Sequence, residues 1–201
     1  MKIMNTACIF GASGSIGNAF LRYYLDKNYQ VIAICRNKED LKAYSSEVDL
    51  FSFDGSEEGI ESIAETIKNK YGKLNNCINA IGQLHSADFM PEKKLSQINK
   101  TQLLSTLETN TIIPALILKH FSVLMDNESP SLIAHLSARV GSISDNKLGG
   151  WYSYRASKAA LNMLIKTAAI EMRRFNKNLS IIGLHPGTVE SRLSEPFQEN
   201  V

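Results

Sequence analysis

In the segment Tyr154-Arg155-Ala156-Ser157-Lys158, a phenol and an ammonium group stand four residues apart. Residues at i and i+4 of a helix share a face, so both groups can enter one site. An unperturbed phenol, with a pKa of about 10, is a poor acid or base at neutral pH. A neighbouring cation favours the phenolate and brings that pKa toward the working range. The pair is therefore a candidate for proton transfer, although the same spacing also occurs as a surface pair in many helices. Tyr152 is a competing phenol, but it lies six residues from Lys158 and on a different face.

A second candidate is Gly11-Ala12-Ser13-Gly14-Ser15-Ile16-Gly17, which follows an apolar run. Glycines permit a tight strand-to-helix turn and a close backbone approach to a phosphate, which the helix N-terminus then favours. The spacing is not G-x-G-x-x-G, and a tight turn that binds nothing would also fit it. The next apolar run ends Ile34-Cys35-Arg36-Asn37, with no acid at its end. A carboxylate there would hold the ribose 2′-hydroxyl of NAD, whereas an arginine accommodates a 2′-phosphate, so Arg36 favours NADP(H), with NAD(H) as the alternative. Arg36 could also be an ordinary solvated residue. Asp54 could accept a hydrogen bond from an adenine amino group, or cap the helix that begins near Ser56-Glu57-Glu58.

These residues have to be positioned by regular elements. Short continuous apolar runs at Thr6 to Phe10, Gln30 to Cys35, Val48 to Phe53, Asn75 to Ala80, Ser131 to Leu136 and Ser180 to Leu184 read as strands covered on both faces. Helical stretches are expected at about Ser15 to Lys27, Lys38 to Ser45, Glu57 to Tyr71, Leu95 to Leu124 and Trp151 to Phe175. Strands alternating with helices predict βαβ units, an α/β fold with a parallel sheet and right-handed crossovers. Ligands of such sheets bind beyond the carboxyl ends of the strands, where these candidate residues lie.

The composition narrows the function. The chain has 201 residues, with 22 Lys+Arg against 20 Asp+Glu, 44% hydrophobic and 21% charged residues, ordinary values for a globular domain. Its length suits one domain with a sizeable core. The balanced charge argues against a nucleic-acid or anionic-membrane partner. Cys8, Cys35 and Cys77 lie in apolar runs without C-x-x-C spacing and read as reduced core thiols. No segment reads as a signal peptide, and the longest apolar stretch, Thr111 to Phe121, falls short of the roughly 20 residues that span a bilayer. A cytoplasmic location is expected.

Taken together, Gly11 to Gly17, Asn79-Ala80-Ile81-Gly82, Asn110, Ser137 and Tyr154 to Lys158 resemble, in order and strand position, the motifs of the short-chain dehydrogenase/reductase family. His185-Pro186-Gly187-Thr188-Val189 resembles that family's Pro-Gly motif, and the segments around Ser137 and Tyr154 resemble its C-factor-like and sniffer-like carbonyl reductases. The resemblance implies a single doubly wound Rossmann domain over residues 1–201. It implies Tyr154 as proton donor to a substrate carbonyl, Ser137 as a hydrogen-bond partner of that oxygen, Lys158 as a ribose ligand that lowers the tyrosine pKa, and Asn110 as holder of a relay water. Gly11, Ser13, Gly14, Ser15, Ile16 and Gly17 would hold the pyrophosphate. Asn79, Ala80 and Gly82 would pack along the adenine ribose, and Pro186, Gly187, Thr188 and Val189 would meet the nicotinamide carboxamide. No metal is implied.

The pattern departs from the family in three places. Ser15 stands where glycine is usual, and the segment Ser142 to Gly150 is longer than the commonest spacing. Family members also usually continue past this point through a helical region and a final strand. The resemblance thus predicts a sheet of six strands without that last strand, a domain lacking the C-terminal segment, and a mobile substrate cover beginning over Ser191 to Gln198, including Leu193, Pro196 and Phe197. The expected partner is a small carbonyl or alcohol compound, with a homodimer or tetramer if the missing segment is present. The expected activity is an NADP(H)-dependent carbonyl reductase or alcohol dehydrogenase. The alternative is a nucleotide-sensing regulatory or signalling protein of the same fold.

Overall fold

The computed structural model describes residues 4–187, 189–191 and 193–200. In chain order the main elements are β1 (Thr6–Phe10), α1 (Ser15–Asp26), β2 (Gln30–Cys35), β3 (Val48–Ser52), α2 (Glu57–Tyr71), β4 (Asn76–Asn79), α3 (Lys100–Leu107), α4 (Ile113–Phe121), β5 (Ser131–Leu136), α5 (Tyr152–Met172) and β6 (Leu179–Leu184). All six strands are parallel, in the order β3-β2-β1-β4-β5-β6. This is the α/β sheet expected from the alternating runs, with the order reversing between β1 and β4. Both flank the crevice where ligands of such sheets bind.

Continuous apolar runs form these strands because both faces are covered. Cys8, Phe10, Ile32, Ile34, Cys77 and Ile133 point toward α2, α4 and α5, while Ala7, Ile9, Val31, Ala33, Ile78 and Ala134 point toward α1. Phe10 is wedged edge-on between Phe53 and Phe121, with ring centres 5.9 and 5.0 Å apart. All three cysteines are buried and unpaired. No helix among the described residues is long and apolar enough to cross a membrane.

Two expected helices take another form. The segment Lys38–Tyr44 is a short 3₁₀ stretch interrupted at Leu41. The long helix expected over Leu95 to Leu124 is broken into a 3₁₀ turn at Leu95–Gln97, α3, a π-helical turn at Glu108–Ile112, α4 and a final 3₁₀ turn at Ser122–Leu124. Extended Ile98 ends the first turn, and the Asn99 side chain caps α3 by accepting from Gln102 N. The π turn precedes Pro114, whose ring nitrogen cannot donate to the Asn110 carbonyl in the α pattern.

The turn after β1 is set by backbone contact. Gly11 has φ +73°, and a Cβ there would lie 3.1 Å from the Ala80 carbonyl carbon. Gly17, in the first turn of α1, sits so close that a Cβ would meet the Gly11 carbonyl oxygen at 2.1 Å. Neither neighbour is a flexible side chain. Gly17→Ala should therefore destabilise the protein by about 1–3 kcal/mol in urea denaturation, through backbone displacement.

Candidate active site

The carboxyl ends of β1, β4, β5 and β6 converge with the first turns of α1 and α5. Helix α1 begins at Ser15 behind Gly14, which has no capping side chain, and its first turn holds no acid. The first-turn N–H groups are thus left for an external acceptor, and Ser13, Gly14 and Ser15 are exposed. A cavity of about 390 Å³ joins Ser15 and Ile16 to Pro186 and Val189 in the loop after β6. Gly187 has φ +78° in that loop; Thr188 lies outside the described residues. The uncapped first turn of α1 fits a dinucleotide pyrophosphate through its main-chain N–H groups, whereas the cavity beside it, lined also by Ala19, Phe20 and Tyr23, is largely apolar.

Arg36 is exposed at the end of β2, and its carbonyl accepts from Ser52 Oγ at 3.0 Å. The acids that follow are engaged elsewhere, Glu39 with Lys42 at 3.3 Å and Asp40 with the Asn37 amide at 3.5 Å. Asp54 is exposed after β3. Its carboxylate accepts from Ser56 N and Ser56 Oγ at 2.9 and 2.7 Å, which holds its pKa below the ordinary value. The cap of α2 is Ser56, which accepts from Gly59 N, so the capping role considered for Asp54 falls to its neighbour.

Asn79 is buried at the end of β4. Its Oδ1 accepts from Ile81 N and its Nδ2 donates to His135 Nδ1, each at 3.0 Å. That bond places the imidazole proton on Nε2, which has no protein partner, and burial pushes the His135 pKa down to about 3. His135 is therefore neutral at working pH. Asn79 thus shapes the 79–82 turn from within. Ala80 abuts Gly11, and Gly82 is exposed and opens toward Asn110 Oδ1 and Lys158 Nζ.

Helix α5 carries the phenol and the ammonium into this ring of loops. Tyr154 and Lys158 retain 8% and 3% of their exposure, and Lys158 Nζ lies 5.8 Å from the centre of the Tyr154 ring. The ammonium donates to the Leu136 carbonyl at 2.8 Å. Burial pushes Tyr154 up to about 12 and Lys158 down to about 8. The expected lowering of the phenol by the lysine is thus reversed here, because desolvation outweighs a cation spent on a backbone carbonyl.

Asn110 is fully buried on the π turn and clamps two neighbours. Its Oδ1 accepts from Gln83 N at 2.8 Å, while its Nδ2 donates to Gln83 O and Ser157 Oγ at 2.7 and 3.1 Å. Ser157 in turn donates to the Tyr154 carbonyl, and Thr111 Oγ1 donates to the Ser157 carbonyl. The structure therefore joins Asn110, Tyr154 and Lys158 through Ser157 and the 79–83 turn. It does not join Ser137 to Tyr154. The Ser137 hydroxyl donates to Asn162 Oδ1 at 2.6 Å, beside a cavity of about 250 Å³ that Arg139 and His185 also line.

Sequence reasoning missed the group that seats α5. Glu92 is 2% exposed, and its carboxylate accepts from Ser153 N and Ser153 Oγ, while its carbonyl accepts from Trp151 N at 2.5 Å. This caps the helix two residues before Tyr154, in the role that a local Ser or Asp usually fills. No local signal marks Glu92, because 61 residues separate it from Ser153.

A family model described as short chain dehydrogenase matches residues 5–201. The chain is 30% identical over 195 residues to the 1-hydroxy-2-glutathionyl-2-methyl-3-butene dehydrogenase of Rhodococcus sp. (strain AD45), covering 96% of this chain and 82% of that one. It is 24% identical to the benzil reductase of Bacillus subtilis (strain 168), covering 94% and 76%. Among solved structures it is similar to the carbonyl reductase Sniffer of D. melanogaster, with 25% identity, TM-score 0.82 and coverage of 94% and 83%. A Burkholderia multivorans short-chain dehydrogenase/reductase with bound NADP shares the fold at TM-score 0.84 and 23% identity, covering 96% and 84%.

The buried lysine gives a signed prediction. Its folded pKa lies below the unfolded value, so the unfolded state binds more protons between about pH 8 and pH 10.5. Charged burial costs roughly 3 kcal/mol below that window, and the cost is relieved as pH rises through it. The stability of the cofactor-free protein relative to Lys158→Met should therefore rise between pH 8 and pH 10, as read by urea denaturation. A difference that stays flat over that range would overturn the assignment.

Proposed function

The chain belongs to the short-chain dehydrogenase family, and on that premise we propose that it is an NADP(H)-dependent carbonyl reductase with Tyr154 as its general acid. The observation that supports this most is the placement of Tyr154 and Lys158 on one face of α5, with Lys158 Nζ 5.8 Å from the phenol ring and facing the turn at Gly82. A bound nicotinamide supplies the hydride in such a reaction. Burial keeps Tyr154 protonated at neutral pH, the form that a carbonyl oxygen gaining negative charge requires.

The remaining residues bind and orient. Backbone donors of Ser13, Ser15 and Ile16 at the start of α1 take the pyrophosphate, and Pro186 and Val189 line the cavity beside it. Arg36 takes the 2′-phosphate. Lys158 would hold the ribose hydroxyls in place of the Leu136 carbonyl and so keep a positive charge near the phenol. Ser137 must likewise release Asn162 before it can donate to a substrate oxygen. The Asn110 carbonyl, which Pro114 cannot engage in the α pattern, accepts the relay water that returns a proton to Lys158.

Tyr154→Phe should lower turnover of carbonyl substrates by about 10²- to 10⁴-fold while NADPH still binds, since only the proton donor is removed. Unchanged turnover would sink the general-acid assignment, and an unchanged biological role without turnover would favour a nucleotide sensor. Arg36→Asp should weaken NADPH binding relative to NADH by about 1–3 kcal/mol in paired titrations. Equal losses for the two nucleotides would remove the arginine from the site.

A further inference from the structure

Aromatic rings from three separate parts of the chain meet in succession beside Tyr154. Trp151, immediately before α5, lies 6.1 Å from the Tyr154 ring at 70°. Phe197, on the 3₁₀ turn Glu195–Asn200, lies 5.1 Å from Trp151 at 58°. His85, in the loop after β4, lies 6.0 Å from Phe197 at 63°. Tyr154 is 8% exposed in this arrangement, so a substrate must displace something to reach it.

The two main rings are held very differently. Trp151 occupies a left-handed backbone conformation, φ +52°, that a bulky residue adopts only when its surroundings impose it. They do so here. Its N–H is bonded to the Glu92 carbonyl, and Arg155 Nε and Nη2 donate to the Gly150 and Gly149 carbonyls at 3.0 and 3.1 Å, fixing the glycine pair in front of it. The indole is thus a fixed wall. Among the described residues, the backbone of Phe197 is held by local turn bonds, its N–H to the Ser194 carbonyl at 2.9 Å and Ser194 Oγ to the Val189 carbonyl at 2.5 Å.

We propose that Phe197 fills a slot against Trp151 that a planar aryl group of the substrate occupies during catalysis, so that the preferred substrates are ketones or aldehydes with an aromatic ring attached at the carbonyl. The chain itself shows what fits, since a benzene ring already packs there at a tilted angle favoured by the edge and face charges of aromatic pairs. A saturated ring of equal size offers the indole no such charge pattern. Contact of the same indole with Tyr154 puts the slot next to the acid, where a substituent on the carbonyl carbon would lie. This inference rests on the carbonyl reductase reading, but its binding half can be tested without turnover.

Trp151 is the only tryptophan of the chain, so its emission reports on the slot directly. Acetophenone should quench Trp151 saturably in the NADP-loaded protein, beyond its collisional quenching of N-acetyltryptophanamide, and cyclohexyl methyl ketone should leave the emission nearly unchanged. NADPH oxidation should favour acetophenone over cyclohexyl methyl ketone by about tenfold or more in kcat/KM. Phe197→Ala should tighten acetophenone binding several-fold by emptying the slot, and Trp151→Leu should reduce the aryl preference to threefold or less. Equal binding of the two ketones, or weaker acetophenone binding in Phe197→Ala, would overturn the slot. Saturable quenching with no oxidation of NADPH by any carbonyl compound would support the slot and refute the reductase reading.

Discussion

An ammonium group withdrawn almost wholly from water organises this molecule. Lys158 cannot be buried without a hydrogen-bond acceptor, and the Leu136 carbonyl provides one at the end of β5, just past the last β4 pair, Asn79 with His135. The acceptor is available because a parallel sheet stops its strands at a common edge, and α5 then crosses that edge with its first turns uppermost. The other polar groups nearby follow from the same requirement. His135, beneath the lysine, stays neutral, so the ammonium is not opposed by a second buried charge.

The cation is stationed at the sheet edge, and the phenol is carried to it. Helix α5 is fixed at three separate points: Glu92 caps its start, Asn110 and Thr111 hold Ser157, and Leu136 holds Lys158. Each partner comes from a different loop or element. The π turn at Glu108–Ile112 brings Asn110 and Thr111 inward together, which a regular helix through Pro114 could not do with the same backbone. Positioning is therefore shared among residues from separate elements, and a fault in any of the three anchors would move Tyr154 relative to the ends of the strands.

Much of the fold was legible in the sequence because strands buried on both faces leave an unmistakable mark. The runs Thr6 to Phe10 and Gln30 to Cys35 form strands with those boundaries, and the glycines of the first turn sit where backbone contact demands them. Tyr154 and Lys158 share a face as their spacing required. What was not legible depends on partners distant in the chain. The committed proton of Ser137, the tie between Asn79 and His135 and the carboxylate of Glu92 each pair residues 25 to 61 positions apart. The long fourth helix was misread for a related reason, since its apolar pattern continues across breaks that only capping and proline geometry reveal.

The contact between Gly17 and Gly11 bears on how such a chain can diverge. The turn after β1 is specified by the path of the main chain and by the absence of two side chains. Nearly every other position of α1 and of the strands can drift through residues of similar size and polarity without altering the main-chain N–H groups offered there. A binding site written in backbone keeps its ligand while its sequence changes, whereas the wall at Trp151, written in one indole on a constrained backbone, can be replaced by a single substitution. Cofactor use in a scaffold of this kind is accordingly inherited, and the identity of the substrate is the part most readily rewritten.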